Sequence, residues 1–97
     1  MTAYVIAEVD VTDAAGYQAY AAVVPATIAK YGGRFLVRGG AAEVLEGEWP
    51  QRRHVILEFP SVEAARAWWD STEYEKPKAM RRAASNGRLI LLEGYAA

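Results

Sequence analysis

Apolar and polar residues alternate in four short segments of the chain, which is the pattern of half-buried β-strands. In the first segment, Val5 shares an apolar face with Ala7 and Val9, and the intervening positions form a mixed face. After Gly39-Gly40, which predicts a bulge or loop, Glu43–Glu46 could resume the second strand. The predicted strands are Ala3–Val9, Arg34–Arg38, Arg52–Phe59 and Leu89–Glu93.

Apolar residues at spacings of three and four predict the first helix, Asp13–Lys30. Thr12 is the expected N-cap, and Gly32-Gly33 ends the helix. Pro25 lies inside the pattern, removes one backbone hydrogen bond and predicts a kink. The positions that share one face of this helix are Tyr17, Tyr20, Ala21, Val24, Ile28 and Tyr31.

A second helix is predicted over Val62–Asp70, with Ser61 as its cap. Its buried face is expected to carry Val62, Ala65 and Trp69. A short third helix is expected to begin with Pro77 in its first turn and to end near Ala84. Asn86-Gly87 then closes it before the last strand.

The resulting order is β, α, β, β, α, β, with the short helix as an appendix. The compact solution for that order is an α+β, ferredoxin-like fold: an antiparallel four-stranded sheet with its helices on one face. A chain of 97 residues suits one domain, which we expect to span residues 1–97.

The helices can cover only one face of such a sheet, and the other face is not fully polar. Leaving its apolar residues in water would forgo about 1.5–3 kcal/mol each, so we expect two copies to pack together as a homodimer. Strand register adds a second observation in favour of a dimer. Either residues 39–43 leave the ladder, or the second strand overhangs its partner, and another subunit could protect such an overhanging edge. The residues expected on the uncovered face are Tyr4, Ile6, Glu8, Leu36, Arg38, His54, Ile56 and Glu58.

A further indication comes from the segments Tyr31–Gly40, Leu45–Pro50, Val55–Ser61, Ala67–Trp69 with Ser71, Glu73 and Tyr74, and Leu92–Gly94. Together they resemble the bacterial family called domain of unknown function 1330. The resemblance implies a dimeric α/β-barrel made of two ferredoxin-like subunits, and it implies no activity. Relatives in the wider superfamily include cofactor-independent monooxygenases, muconolactone isomerase-like enzymes and stress-response proteins, but their catalytic residues match no motif here.

Charge and composition exclude several classes of function. Eleven basic and twelve acidic residues give a net charge of −1, so no charge bias indicates nucleic acid or an anionic membrane. The chain has no cysteine and no apolar run long enough for a membrane span. We expect a cytoplasmic protein that uses no cofactor. A metal site is not expected, because a single histidine supplies too few ligands.

His54 and Arg38 are the candidate catalytic residues. His54 is the only histidine and could act as a general base. Arg38 could hold a carboxylate through its planar fork. The alternative is that both belong to a dimer interface, where Arg38 would pair with Glu58 or Glu8.

The candidate ligand-binding residues lie on the predicted helices and at strand ends. Tyrosine and tryptophan side chains at helical spacing are usually core, but they can also line a cleft for a small apolar ligand. Asp10 could orient a ligand or only start a turn. The candidates are Tyr17, Tyr20, Glu58, Trp69 and Asp10. Arg81, Arg82 and Arg88, by contrast, are expected on a solvated face of mixed charge.

Two functional hypotheses follow. The first is a cofactor-independent monooxygenase or isomerase that acts on a small apolar or aromatic organic acid or phenol. The second is a non-catalytic dimeric module that binds a metabolite or a protein partner.

Overall fold

The computed structural model describes residues 1–95, so residues 96 and 97 of the expected domain lie outside the described part. Its sheet has the order β2-β3-β1-β4, and all neighbouring strands are antiparallel. This confirms the α+β, ferredoxin-like prediction. The elements are β1 (Ala3–Val11), α1 (Ala14–Lys30), β2 (Arg34–Arg38), β3 (Arg53–Phe59), α2 (Val62–Trp69), α3 (Thr72–Ala84) and β4 (Ser85–Glu93).

The core lies between one face of the sheet and the three helices. The predicted inner face of β1 is buried throughout, from Ala3 to Val9. Trp68 stacks on Tyr74 at a centroid distance of 4.1 Å and packs against Phe59 at 5.4 Å. The alternation of β1 therefore predicted correctly which face the helices cover. None of the helices in residues 1–95 has the length and apolarity that a membrane crossing needs.

Helix α1 begins one residue later than predicted, and Asp13 caps it instead of Thr12. The Asp13 carboxylate accepts a hydrogen bond from the Gly16 amide at 3.2 Å. The Thr12 amide donates to the carbonyl oxygen of Ala84 at 2.9 Å, which ties the start of α1 to the end of α3.

Helix α3 is longer than predicted and leads directly into β4. It begins at Thr72 because the Ser71 hydroxyl caps it, accepting from the Tyr74 amide at 3.1 Å. Pro77 thus lies inside the helix and not in its first turn. The predicted closing turn at Asn86-Gly87 is also wrong, since both residues pair with β1 in the sheet.

A β-bulge in β2 changes which way Arg38 points. Phe35 lies opposite Leu57, but Val37 lies opposite Ile56, so Leu36 is the extra residue. The shift places Arg38 opposite Val55, on the helix side of the sheet. The expectation that Arg38 lies on the uncovered face is therefore wrong, because regular alternation stops at the bulge.

Residues 39–52 leave the ladder, which resolves the two alternatives for β2. The Gly39 amide still donates to the carbonyl oxygen of His54 at 2.8 Å, and pairing then ends. Glu43–Glu46 forms no strand, so the predicted resumption of β2 is wrong.

Candidate ligand cleft

A narrow cleft lies between α1 and the inner face of the sheet. It holds a cavity of about 30 Å³, which is room for roughly one water molecule. Tyr17 and Tyr20 of α1, two of the candidate ligand-binding residues, line it together with Phe35 and Trp68. Three arginines complete the lining, namely Arg38, Arg53 and Arg81.

Arg38 reaches the cleft because of the bulge at Leu36. One of its terminal nitrogens donates to the carbonyl oxygen of Ala21 in α1 at 2.7 Å. Its guanidinium carbon lies 4.5 Å from the centroid of the Phe35 ring. The side chain thus spans from the edge strand to the helix and covers part of the cleft.

Arg53 begins β3 and points to the same side of the sheet. Its guanidinium lies 5.5 Å from the centroid of Tyr17, and its Nε is buried without a hydrogen-bond partner. Gly39 has a positive φ of 71° and packs so closely on this guanidinium that a Cβ there would collide with it. Glycine at position 39 therefore leaves the space that Arg53 occupies.

Arg81 lies deepest, with 5% of its surface exposed. Its Nε donates to the Tyr74 hydroxyl at 3.4 Å, and that hydroxyl is 3.1 Å from the hydroxyl of Tyr20. Burial, reinforced by Tyr74, raises the pKa of Tyr20 far above its ordinary value. Tyr20 is therefore a neutral phenol that can donate a hydrogen bond. Because Arg81 is buried, the expectation that it lies on a solvated face is wrong.

No carboxylate compensates these three charges. The lining of the cleft contains no acidic residue. The ion pairs found among residues 1–95 involve Lys30, Arg34, His54, Arg66 and Arg88, and none includes a cleft arginine. The cleft is therefore a small aromatic space with an uncompensated positive charge.

His54 and Glu58 lie on the opposite face of the sheet and cannot serve this cleft. The His54 Nε2 accepts from the Trp49 indole at 3.0 Å and lies 3.7 Å from Glu8. Glu58 accepts from Arg34 at 2.8 Å. Arg88 pairs with Glu8 at 2.9 Å. The expected pairing of Arg38 with Glu58 or Glu8 is therefore wrong, since Arg34 and Arg88 take these carboxylates.

Trp69 and Asp10 also lie outside the cleft. Trp69 is only partly buried, and its neighbour Trp68 holds the buried position of α2. The Lys78 ammonium lies 3.9 Å over the Trp69 ring, and burial lowers the pKa of Lys78. Asp10 is exposed within β1 opposite Asn86, so the predicted turn at this residue is wrong.

Sequence reasoning missed Arg53, Arg81 and Trp68 as cleft residues. Arg53 lies on the same face of β3 as Val55 and Leu57, so the alternation along this strand could have shown that its charged side chain points towards the helices. Trp68 and Arg81 could not be assigned, because their burial depends on how α2 and α3 pack. Within residues 1–95, no group of three His, Cys, Asp or Glu side chains is placed to hold a metal ion.

The four-stranded antiparallel sheet with its helices on one face places the chain in the ferredoxin-like class of α+β folds. Residues 2–95 match the model of the family described as "Domain of unknown function (DUF1330)", and the chain belongs to that family. No curated protein matches the sequence.

Solved structures show the same fold at low sequence identity. RPA0582, a protein of unknown function from Rhodopseudomonas palustris, is 24% identical, with a TM-score of 0.79 over 99% of this chain and 84% of that chain. SnoaB, a cofactor-independent oxygenase from Streptomyces nogalater, is 15% identical, with a TM-score of 0.65 over 99% and 95%. A putative antibiotic biosynthesis monooxygenase from Nitrosomonas europaea is 12% identical, with a TM-score of 0.54 over 95% and 89%.

Proposed function

We propose that this protein is a homodimer that binds a small organic acid with an apolar or aromatic body in the cleft beneath α1. The observation that carries the proposal is the lining of the cleft, which combines aromatic rings with three arginines and no acidic residue. Arg81 is buried without an acidic partner, Arg53 is half-buried and Arg38 is exposed. A buried positive charge without a counter-ion is costly, and a bound anion would reduce the cost at Arg81. The cavity of about 30 Å³ is smaller than an aromatic ring, so binding of a ring inside the cleft requires the lining side chains to move.

The homodimer is supported by the outer face of the sheet, which no helix covers. Ile90 lies opposite Ile6, and Leu92 lies opposite Tyr4. Ile90 is 55% exposed and Leu92 is 41% exposed in the single subunit. A contiguous apolar patch of this kind marks an interaction surface, and a second copy would bury it.

Cofactor-independent oxygenation is a second candidate, favoured by the similarity of the fold to SnoaB. Arginines around the cleft would stabilise an enolate or phenolate, which is the electron-rich form that reacts with dioxygen. The cleft lining has no histidine or carboxylate to take the proton, so the substrate would have to enter already ionised. The groups present therefore support binding of an anion more directly than they support catalysis.

A ligand panel tests the proposal. Small aromatic and aliphatic acids, with phenols and enols of low pKa, are added to the full chain, and stability and tyrosine NMR signals are recorded. We expect acids to raise the melting temperature and to shift the signals of Tyr17 and Tyr20. If no compound changes the signals of the cleft residues, the proposal of ligand binding is wrong. Consumption of dioxygen, with a product detected by mass spectrometry, would instead favour the oxygenase.

A further inference from the structure

We infer that Arg38 and Arg53 form a clamp for one planar carboxylate in the cavity of the cleft that both side chains line, a site that exists because of the bulge at Leu36. The inference rests on the proposed function, which requires only that an anionic ligand enters the cleft. It adds the chemical group that is recognised and the two residues that recognise it.

The bulge is what brings the second arginine into the site. Without the extra residue Leu36, Arg38 would follow the alternation of β2 to the outer face, like Arg34. With it, Arg38 lines the same cavity as Arg53, which starts the neighbouring strand β3. Two arginines from adjacent strands thus line one cavity.

Both side chains keep unused donors. A guanidinium carries five N–H donors in a fixed fork. Arg38 uses one terminal nitrogen on the Ala21 carbonyl, and the Nε of Arg53 is buried with no partner. An unpartnered buried donor of a charged group is unfavourable, so an acceptor that reaches it is bound with a gain.

A carboxylate matches the space and the geometry of this site. The cavity of about 30 Å³ is too small for a ring, so only the charged end of a ligand would enter it. Carboxylates accept two parallel hydrogen bonds from a guanidinium, and charge-assisted bonds are roughly twice as strong as neutral ones. The body of the ligand would then lie at the mouth, between Phe35 and Tyr17, over which the guanidinium groups now rest.

Arg81 has a different part in this arrangement. It is the most buried of the three arginines, and its Nε already donates to the Tyr74 hydroxyl at 3.4 Å. We therefore expect its loss to weaken every anion by a similar factor, whereas the clamp residues distinguish a planar carboxylate from other groups.

Binding of benzoate, benzamide and inorganic phosphate to the full chain tests the clamp by calorimetry at constant ionic strength. Benzamide keeps the shape of benzoate without its charge. Arg38→Met and Arg53→Met remove the clamp, and Arg34→Met is the matched control, because it makes the same change on the outer face of β2. Arg38→Lys keeps a charge and loses the fork, and circular dichroism verifies that each variant folds.

We expect benzoate to bind at least about tenfold more tightly than benzamide, a difference typical of a charged hydrogen bond. Arg38→Met and Arg53→Met should each weaken benzoate about tenfold, Arg38→Lys should weaken it less, and Arg34→Met should leave it within about twofold.

Three results would overturn the clamp. Benzoate that binds in the cleft more tightly than benzamide, with shifts at Tyr17 and Tyr20, but equally well to Arg38→Met and Arg53→Met would refute the clamp and leave the proposed function intact. Phosphate binding more tightly than benzoate would refute the assignment to a carboxylate. Loss of benzoate binding by Arg34→Met as well as Arg38→Met would show that only net charge matters.

Discussion

Arg38 donates a hydrogen bond to the carbonyl oxygen of Ala21 at 2.7 Å, and this bond replaces one that the helix cannot make. Ala21 lies four residues before Pro25, whose nitrogen carries no hydrogen. The carbonyl oxygen of Ala21 is therefore without its helical donor, and a side chain from the bulged strand supplies one. The proline in α1 and the bulge in β2 thus act together to hold Arg38 at the cleft.

A double-mutant cycle tests this coupling. With Pro25 present, Arg38→Met should destabilise the protein by about 1 kcal/mol, because the Ala21 carbonyl loses its donor. In the Pro25→Ala background the helix regains its own donor, so the same change should cost less than about half of that. Urea unfolding of the four proteins measures both values. An equal cost in the two backgrounds would show that Arg38 does not substitute for the missing amide.

The local pattern of the sequence was enough for the sheet and not enough for the site. Alternation in β1 identified the covered face because β1 is a regular strand that pairs on both sides. Residues 34–38 alternate just as regularly, yet the bulge at Leu36 depends on register with β3, which a single strand does not encode. The same limit applies to α3. The sequence pattern placed Pro77 in its first turn, but Ser71 caps the helix and it begins at Thr72. The packing of Tyr74 against Trp68 in that added first turn is a tertiary effect.

The paired hydroxyls of Tyr20 and Tyr74 should contribute to stability. Tyr74→Phe removes the group that contacts both Tyr20 and Arg81, and we expect a loss of about 1–3 kcal/mol in the free energy of unfolding. Tyr17→Phe is the control, since Tyr17 lines the same cleft and its hydroxyl makes none of the hydrogen bonds described here. Chemical denaturation of both variants gives the comparison, and equal effects would count against a role for the hydroxyl pair.

Thr27 connects the tryptophan core to the backbone of α1. Its hydroxyl accepts from the Trp68 indole at 3.1 Å and donates to the carbonyl oxygen of Val24 at 2.8 Å. Thr27→Val keeps the shape and leaves the indole N–H unpaired, so we expect a loss of about 1–3 kcal/mol. Thr27→Ser keeps the hydroxyl and should retain the hydrogen bond to Trp68. The indole proton shift in the NMR spectrum reports the bond directly, and an unchanged shift in Thr27→Val would contradict this assignment.

The Glu73 carboxylate should make stability depend on pH in the acid range. A hydrogen bond from Tyr31, followed in importance by one from Lys30, lowers the pKa of Glu73 from 4.5 to about 2. Since the folded-state pKa is the lower one, the contribution is complete above pH 4.5 and is lost as the pH falls towards 2. Tyr31→Phe should raise the pKa of Glu73 and remove part of this dependence.

Carbon NMR of the Glu73 carboxyl measures that shift, and unfolding between pH 2 and 5 measures its effect on stability. Tyr95→Phe is the control, because Tyr95 is exposed to solvent. An unchanged Glu73 titration in Tyr31→Phe would mean that Lys30 and Thr72 lower the pKa without Tyr31.

The proposed homodimer should form through the outer face of the sheet. Ile90→Lys places a charge in the middle of the patch formed with Ile6, Tyr4 and Leu92. Ile90 is already more than half exposed in the single subunit, so the fold should change in stability by no more than about 0.5 kcal/mol. In a dimer the same lysine would be buried without a partner, at a cost of about 3 kcal/mol or more, which weakens association at least about a hundredfold.

Val23→Lys is the matched control, since Val23 is 44% exposed on α1, away from the sheet. Sedimentation equilibrium should therefore find dimers for the unmodified chain and for Val23→Lys, and monomers for Ile90→Lys. A dimer of unchanged affinity in Ile90→Lys would mean that the copies meet through another surface.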